Sequence, residues 1–301
     1  MQQLTFGASK YKRMYDRTSC PQPHEDDKVL AAVRTVVMAW ARRHGVADGE
    51  ATAFLVALKA EWKLNEPIGN MAQKVWTSAN ALNGCEFCSI FNALLRDDER
   101  LDDELAVQAA ILGHAINSNV VTRGLGGAKP WPGGPAAGPD HNSTEKDTCW
   151  RGGGFSDTPE TRAFFVGGMV YRTGGFLATS YKKEKAMKFI DRVRLQSADF
   201  GASAACEFWR LQVEFTGLVN ACVMWRIELD PIERCNHVNL VTATHVPGEF
   251  EFLFSAYSAF EVVRVHWSPT PQNKARPHEI TLRAFPDNRT VSEDVPLAPW
   301  S

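Results

Sequence analysis

The sequence predicts an α+β fold in which a helical half is followed by a sheet-rich half. Three observations predict it. From Asp26 to about Asn119 apolar residues recur at helical spacing. After Thr148 the period shortens toward two, and β-branched and aromatic runs take over. Between them, Gly124 to Thr148 is rich in glycine and proline, including Pro130-Trp131-Pro132 and Gly133-Gly134-Pro135, and reads as a long loop. Helices first and strands second is the pattern of an α+β protein and disfavours a doubly wound sheet.

The helical stripes come in order. Leu30, Val33, Val37 and Trp40 line the first, and Phe54, Leu58 and Trp62 the second. Ser78 to Leu82 continues a third, with Gly84 as its stop. Ile90, Leu94 and Leu95 line a fourth; Leu105, Ala109, Leu112 and Ile116 line a fifth. Expected strands are Phe165 to Tyr171, Phe176 to Ser180, Cys206 to Phe215, Ala221 to Leu229, His237 to Thr242, Phe250 to Phe254, Phe260 to Trp267 and Glu279 to Phe285. Lys182 to Val193 interrupts them with a helical look.

Composition narrows the function classes. A chain of 301 residues with 44% apolar content can bury a core without disulfides. Its seven cysteines are an odd, dispersed number, as expected of reduced thiols in a cytoplasmic protein. The net charge of −2 gives no broad basic surface for nucleic acid. Residues Met1 to Lys12 lack an apolar secretory core, and no run approaches the roughly 18 apolar residues of a membrane span. The expectation is a soluble, cytoplasmic protein. Neither a phosphate-loop motif nor a G-x-G-x-x-G after a strand is present, so a bound nucleotide needs another kind of site.

Three segments carry chemistry. Cys149-Trp150-Arg151-Gly152-Gly153-Gly154-Phe155 sets an arginine before glycines, where a guanidinium can grip phosphate while backbone approaches a ligand. Gly174-Gly175-Phe176-Leu177-Ala178-Thr179-Ser180 reads as a turn and a short strand, with Thr179 or Ser180 also suited to capping the helix that follows. Gly248-Glu249-Phe250-Glu251-Phe252-Leu253-Phe254 places two carboxylates two residues apart, on one face of a strand. Like charges so close repel unless cations compensate, and stability alone hardly selects that arrangement on a buried face.

In this order the three segments resemble the arginine-type (R-S-E class) mono-ADP-ribosyltransferases, which carry an Arg, a Ser-Thr-Ser strand and a late Glu-x-Glu or Gln-x-Glu. The resemblance covers roughly residues 149 to 267 and extends to Trp225-Arg226-Ile227, Val238-Asn239 and Glu251 to Ser258. It implies a mixed β-sandwich of the ADP-ribosyltransferase type preceded by helices. The chain then divides into an N-terminal helical extension, 1–65, and a catalytic domain, 66–301. That domain is helical over 66–123, a Gly/Pro-rich loop over 124–148 and β-rich over 149–301. The implied substrates are NAD, which loses nicotinamide, and a protein acceptor; no nucleic acid, membrane span or metal is implied.

The resemblance also assigns roles. Glu251 would bond the ribose 2′-hydroxyl, Arg151 would hold the NAD phosphates, and Gly152 would offer its backbone to the nicotinamide amide. Thr179 and Ser180 would line the cofactor site. Phe200 would meet the nicotinamide, with Tyr181 and Trp209 as alternatives. Cleaving the nicotinamide–ribose bond builds oxocarbenium character, which a carboxylate stabilises. One preorganised group of that kind supplies about 3 kcal/mol. Glu249 would face the acceptor: a guanidinium is always charged and a poor nucleophile, so it needs a carboxylate to orient and deprotonate it. The chain departs from the family at Ala178, which stands where the family has the first serine of Ser-Thr-Ser. Two other readings therefore stay open: an NAD glycohydrolase, in which water replaces the acceptor, and an inactive module that binds NAD or a partner. Cys85-Glu86-Phe87-Cys88 has a metal or redox spacing but lacks a second pair.

Overall fold

The computed structural model describes residues 9–63, 66–118, 147–190, 220–230, 235–241, 243–245, 248 and 251–298. The helical half holds α1 (Lys10–Arg17), α2 (Asp26–Arg43), α3 (Asp48–Ala60), α4 (Ile68–Trp76), α5 (Phe87–Arg96) and α6 (Asp103–Asn117). The apolar stripes are their buried faces: Val33, Val37 and Trp40 on α2, Phe54 and Leu58 on α3, Ile90, Leu94 and Leu95 on α5, and Leu105, Ala109, Leu112 and Ile116 on α6. Charge and capping set their ends. Asp26 and Asp27 open α2 while Arg42 and Arg43 close it, each matching the helix dipole. Asp102 caps α6 by accepting from the Leu105 amide at 2.7 Å.

The third stripe was misplaced. Its helix ends at Trp76, and the chain turns instead into a hairpin of β1 (Ala81–Leu82) and β2 (Cys85–Glu86). Asn83 and Gly84, at φ 50° and 78°, form the turn. An Asn-Gly pair with both φ positive is the signature of a two-residue hairpin, and that local chemistry outweighs the helical spacing. Cys85 accordingly lies on a strand and Cys88 in the first turn of α5.

The β half contains β3 (Thr148–Ser156), α7 (Pro159–Ala163), β4 (Val170–Arg172), β5 (Leu177–Ser180), a helix α8 over 183–190, β6 (Asn220–Glu228), β7 (Val238–Leu240), β8 (Glu251–Phe254), β9 (Ala259–His266) and β10 (His278–Ala284). The expected strand at Phe165 to Tyr171 shrinks to β4. Phe165 closes the turn after α7, and Gly168 (φ 85°) turns the chain before the strand begins. The expected strand Cys206 to Phe215 and the Gly/Pro-rich loop fall outside the described residues, apart from Asp147 and Thr148.

Eight strands join in the order β4-β9-β10-β6-β3-β5-β8-β7. The sheet is mixed: β10 and β6 are parallel, and the other neighbours are antiparallel. At the β3–β5 boundary the register is one pair, Trp150↔Ser180. The strands on either side turn apolar faces into one core. Val223, Trp225, Ile280, Leu282 and Phe260 come from the five-strand side, and Leu177, Phe252, Phe254 and Leu240 from the three-strand side. Phe254 and Phe260 meet edge to face at 5.2 Å. The opposite face of β5 and β8 belongs to the helical layer, whose core takes in Phe176, Leu253 and Tyr257. Alternation along β8 explains this: Glu251 and Leu253 face the helices, and Phe252 and Phe254 face the sheet core. Helix α8 covers the back of β3 and β6 through Ala186 and Ile190.

Candidate active site

The site forms where β3, β5 and β8 run side by side beneath α4 and α5. Trp150 on β3 pairs with Ser180 on β5, and Ser180 pairs with Glu251 on β8, so the three align in one cross-strand row. Arg151 follows Trp150. Its guanidinium Nη1 donates to the Ala178 carbonyl at 2.8 Å, near the boundary where β3 and β5 pair only once. Burial lowers the Arg151 pKa, and the negative charge of Glu251 partly offsets this. A guanidinium stays charged at neutral pH even so.

Glu251 is 9% exposed. The indole Nε1 of Trp76, at the end of α4, donates to its Oε1 at 3.2 Å. Trp76 is packed against Phe176 with ring centroids 5.3 Å apart. Phe176 is held in turn by Asn92 of α5: the Phe176 amide donates to Asn92 Oδ1 at 2.8 Å, and Asn92 Nδ2 donates to the Phe176 carbonyl at 3.0 Å. Asn92 thus satisfies the backbone of Phe176 as a neighbouring strand would. The preceding residue must be small, since a Cβ on Gly175 would lie 2.6 Å from Asn92 Oδ1. Cys88, on the same helix, is pushed up to about 12 by burial, then by Glu86 and Glu251, so it stays a neutral thiol.

The expected site residues divide. Arg151, Ser180 and Glu251 come together. Ser180 is buried, and its Oγ accepts from the Lys182 amide at 3.1 Å, so it supports the turn into α8 as well. Thr179 turns the other way: its hydroxyl donates to the Phe252 carbonyl at 2.8 Å. Gly152 is pressed beneath α8, where a Cβ would collide with the Ala186 carbonyl. Tyr181 sits edge-on to Phe252 at 5.3 Å, on the sheet-core side. Glu249, Phe200 and Trp209 lie outside the described residues. Two residues of the site, Trp76 and Asn92, carry no motif. They read as core and polar positions of helices, and only the packing of helix on sheet brings them to the strands. Among the described residues no group of three or more His, Cys, Asp or Glu side chains is placed to hold a metal, and no helix is long and apolar enough to cross a membrane.

No protein-family model and no curated protein matches the sequence. Solved structures do match in three dimensions. The ADP-ribosyltransferase Vis of Vibrio splendidus, solved with an inhibitor, is 12% identical with a TM-score of 0.44, over 90% of this chain and 89% of its own. The ADP-ribosyltransferase HopU1 of Pseudomonas syringae pv. Tomato is 16% identical with a TM-score of 0.42, over 76% of this chain and 81% of its own. C3stau2 of S. aureus, solved with NAD, is 14% identical with a TM-score of 0.38, over 80% of this chain and 97% of its own.

Proposed function

We propose that this chain is an NAD-dependent mono-ADP-ribosyltransferase of the R-S-E class that modifies arginine on a protein acceptor, built on a β-sandwich of the ADP-ribosyltransferase type. The observation that carries this reading is the row Trp150–Ser180–Glu251 across β3, β5 and β8, with the Arg151 guanidinium beside it. A half-buried cation suits the diphosphate of a dinucleotide, and a buried carboxylate suits a sugar carbon that becomes cationic as nicotinamide leaves. Glu251 stabilises that developing charge, and Arg151 binds phosphate. Ser180 lies directly opposite Glu251, within reach of the same sugar. Glu249, two residues earlier, orients the acceptor guanidinium and takes its proton as the new N–C bond forms.

A second reading, an inactive module that binds NAD without cleaving it, is favoured by one residue. Ala178 puts a methyl where the resembling family has a hydroxyl, on the same strand face as Ser180. One experiment separates the two. Nicotinamide release from NAD is followed for the purified protein and for Glu251→Gln, with and without a guanidino acceptor. The expected result is release by the wild type that the substitution lowers by about 100-fold or more. Binding of NAD without release marks the inactive module. Equal release with and without acceptor marks an NAD glycohydrolase.

A further inference from the structure

We propose that the helical layer is part of the catalytic apparatus: Trp76 sets the orientation of the Glu251 carboxylate, and Thr77 with Glu61 positions the connection that leads into β8. The proposal rests on the reading of Glu251 as the reacting carboxylate.

Three contacts run from residues 61–77 to the β7–β8 segment. Trp76, 3% exposed, donates its indole N–H to Glu251 Oε1 at 3.2 Å. Thr77 Oγ1 accepts from the His245 amide at 3.2 Å. Glu61 Oε2 lies 3.3 Å from His245 Nε2, while Glu61 Oε1 accepts from Ser78 Oγ at 3.0 Å and Asn80 Nδ2 at 2.8 Å. His245 lies in the connection between β7 and β8, six residues before Glu251. Helix-layer side chains therefore touch both the reacting residue and the chain that delivers it.

The chemistry of Trp76 fits a positioning role. Indole N–H is a donor only, so the contact favours the ionised carboxylate. The indole cannot follow the carboxylate if it rotates, because its ring is locked against Phe176, which packs on Phe91 and is clamped by Asn92. A donor fixed by packing sets the plane of the carboxylate before substrate arrives, which is how preorganisation lowers a barrier. On β5, Ala178 is the residue diagonal to Glu251 on the same face, since Ala178 pairs with Leu253 and Ser180 with Glu251. Its methyl makes no hydrogen bond. A serine at 178 would bring a hydroxyl within the diagonal reach of cross-strand neighbours.

The test compares the full-length protein with Trp76→Phe, and with Trp76→Phe combined with Ala178→Ser, in steady-state nicotinamide release and thermal unfolding. Phenylalanine keeps most of the ring and removes the N–H. Loss of one hydrogen bond to a charged group predicts a fall in kcat of about tenfold or more, with KM for NAD within about threefold. The added serine is expected to restore part of kcat, which a purely structural defect would not allow. Trp76→Phe with unchanged kcat overturns the proposal while leaving Glu251 catalytic. So does a loss in which KM and unfolding temperature shift together and the serine restores nothing. A wild type that releases no nicotinamide overturns the catalytic reading itself, and the proposal with it.

Discussion

Two residues buried deep behind the site show how single side chains constrain this fold. Arg172 is 0% exposed, and its guanidinium donates to the carbonyls of Tyr257, Asn288 and Val291 at 3.0, 2.9 and 2.7 Å. Burial draws its pKa down to about 10, which leaves it charged at neutral pH. It ties β4 to the turn before β9 and to the C-terminal segment, whose Ala298 amide donates to the Arg172 carbonyl. His237 is the titrating counterpart. Its Nε2 lies 2.7 Å from the Phe285 carbonyl and its Nδ1 2.8 Å from Ser258 Oγ. The neutral ring donates from Nε2 to the Phe285 carbonyl, and the one hydroxyl proton of Ser258 is directed to the Ser255 carbonyl at 2.6 Å. Burial lowers its pKa from 6.5 to about 4, and the hydrogen bond to Phe285 offsets this only in part. The unfolded chain therefore takes up a proton at higher pH than the folded one. The contribution to stability is full above pH about 6.5 and is lost as pH falls through that value toward about 4, by roughly 3 kcal/mol in all. Urea unfolding near pH 7 and near pH 4.5 should show a decline that is smaller in His237→Gln. Parallel declines in both proteins would remove His237 as the cause.

At the scale of elements, α1 is held from outside itself. Asp98, 2% exposed, accepts from the amides of Lys10 and Tyr11 at 2.7 and 2.9 Å and from Ser9 Oγ at 2.9 Å. Ser9 Oγ also lies 2.8 Å from the Tyr257 hydroxyl, so one carboxylate joins the start of α1 to the turn after β8. It meets orphan amides and the positive end of the dipole together. Asp98→Ala should cost about 2 kcal/mol and raise amide exchange over α1 more than over β3 and β6. Exchange that rises equally across the sheet would show that the cap does not act locally. The elements also show what a sequence reveals. Stripes on α2, α5 and α6 and the alternation in β8, β9 and β10 were legible because burial imposes their period. Strand β3 was legible only as far as Arg151, because three successive glycines read as a turn although the strand runs on to Ser156. They are small for packing reasons: a Cβ on Gly152 meets α8, and one on Gly153 would lie 2.9 Å from the Trp225 ring. Arg151 and Glu251 could be named from local motifs. Trp76, Asn92 and Glu61 could not, because their meaning lies in partners far along the chain, 175 residues away for Trp76.

At the scale of the whole molecule, residues 1–65, set apart from the sequence as an N-terminal helical extension, are packed as part of the helical layer. One continuous core runs through α1 to α6 and reaches Phe176, Leu253 and Tyr257 of the sheet. Helices α1 and α2 both pack on α6. Removing residues 1–65 would uncover the faces of α6 and α5 that carry Ala106, Ala109, Leu112 and Leu95, all 0% exposed. It would also remove Glu61 and its contact with His245. Apolar surface of that extent costs about 25 cal/mol for each Å² returned to water, a demand that marginal stability does not meet. The fragment 66–301 is therefore expected to aggregate or to unfold without a cooperative transition, and to release no nicotinamide. The full chain should unfold in one transition whose midpoint shifts as a unit when NAD is added, because a ligand of the folded state stabilises everything coupled to its site. A fragment that stays monodisperse and melts cooperatively would restore the view of two separable parts. Catalysis by that fragment at the full chain's rate would also show that Glu61 contributes nothing to the site.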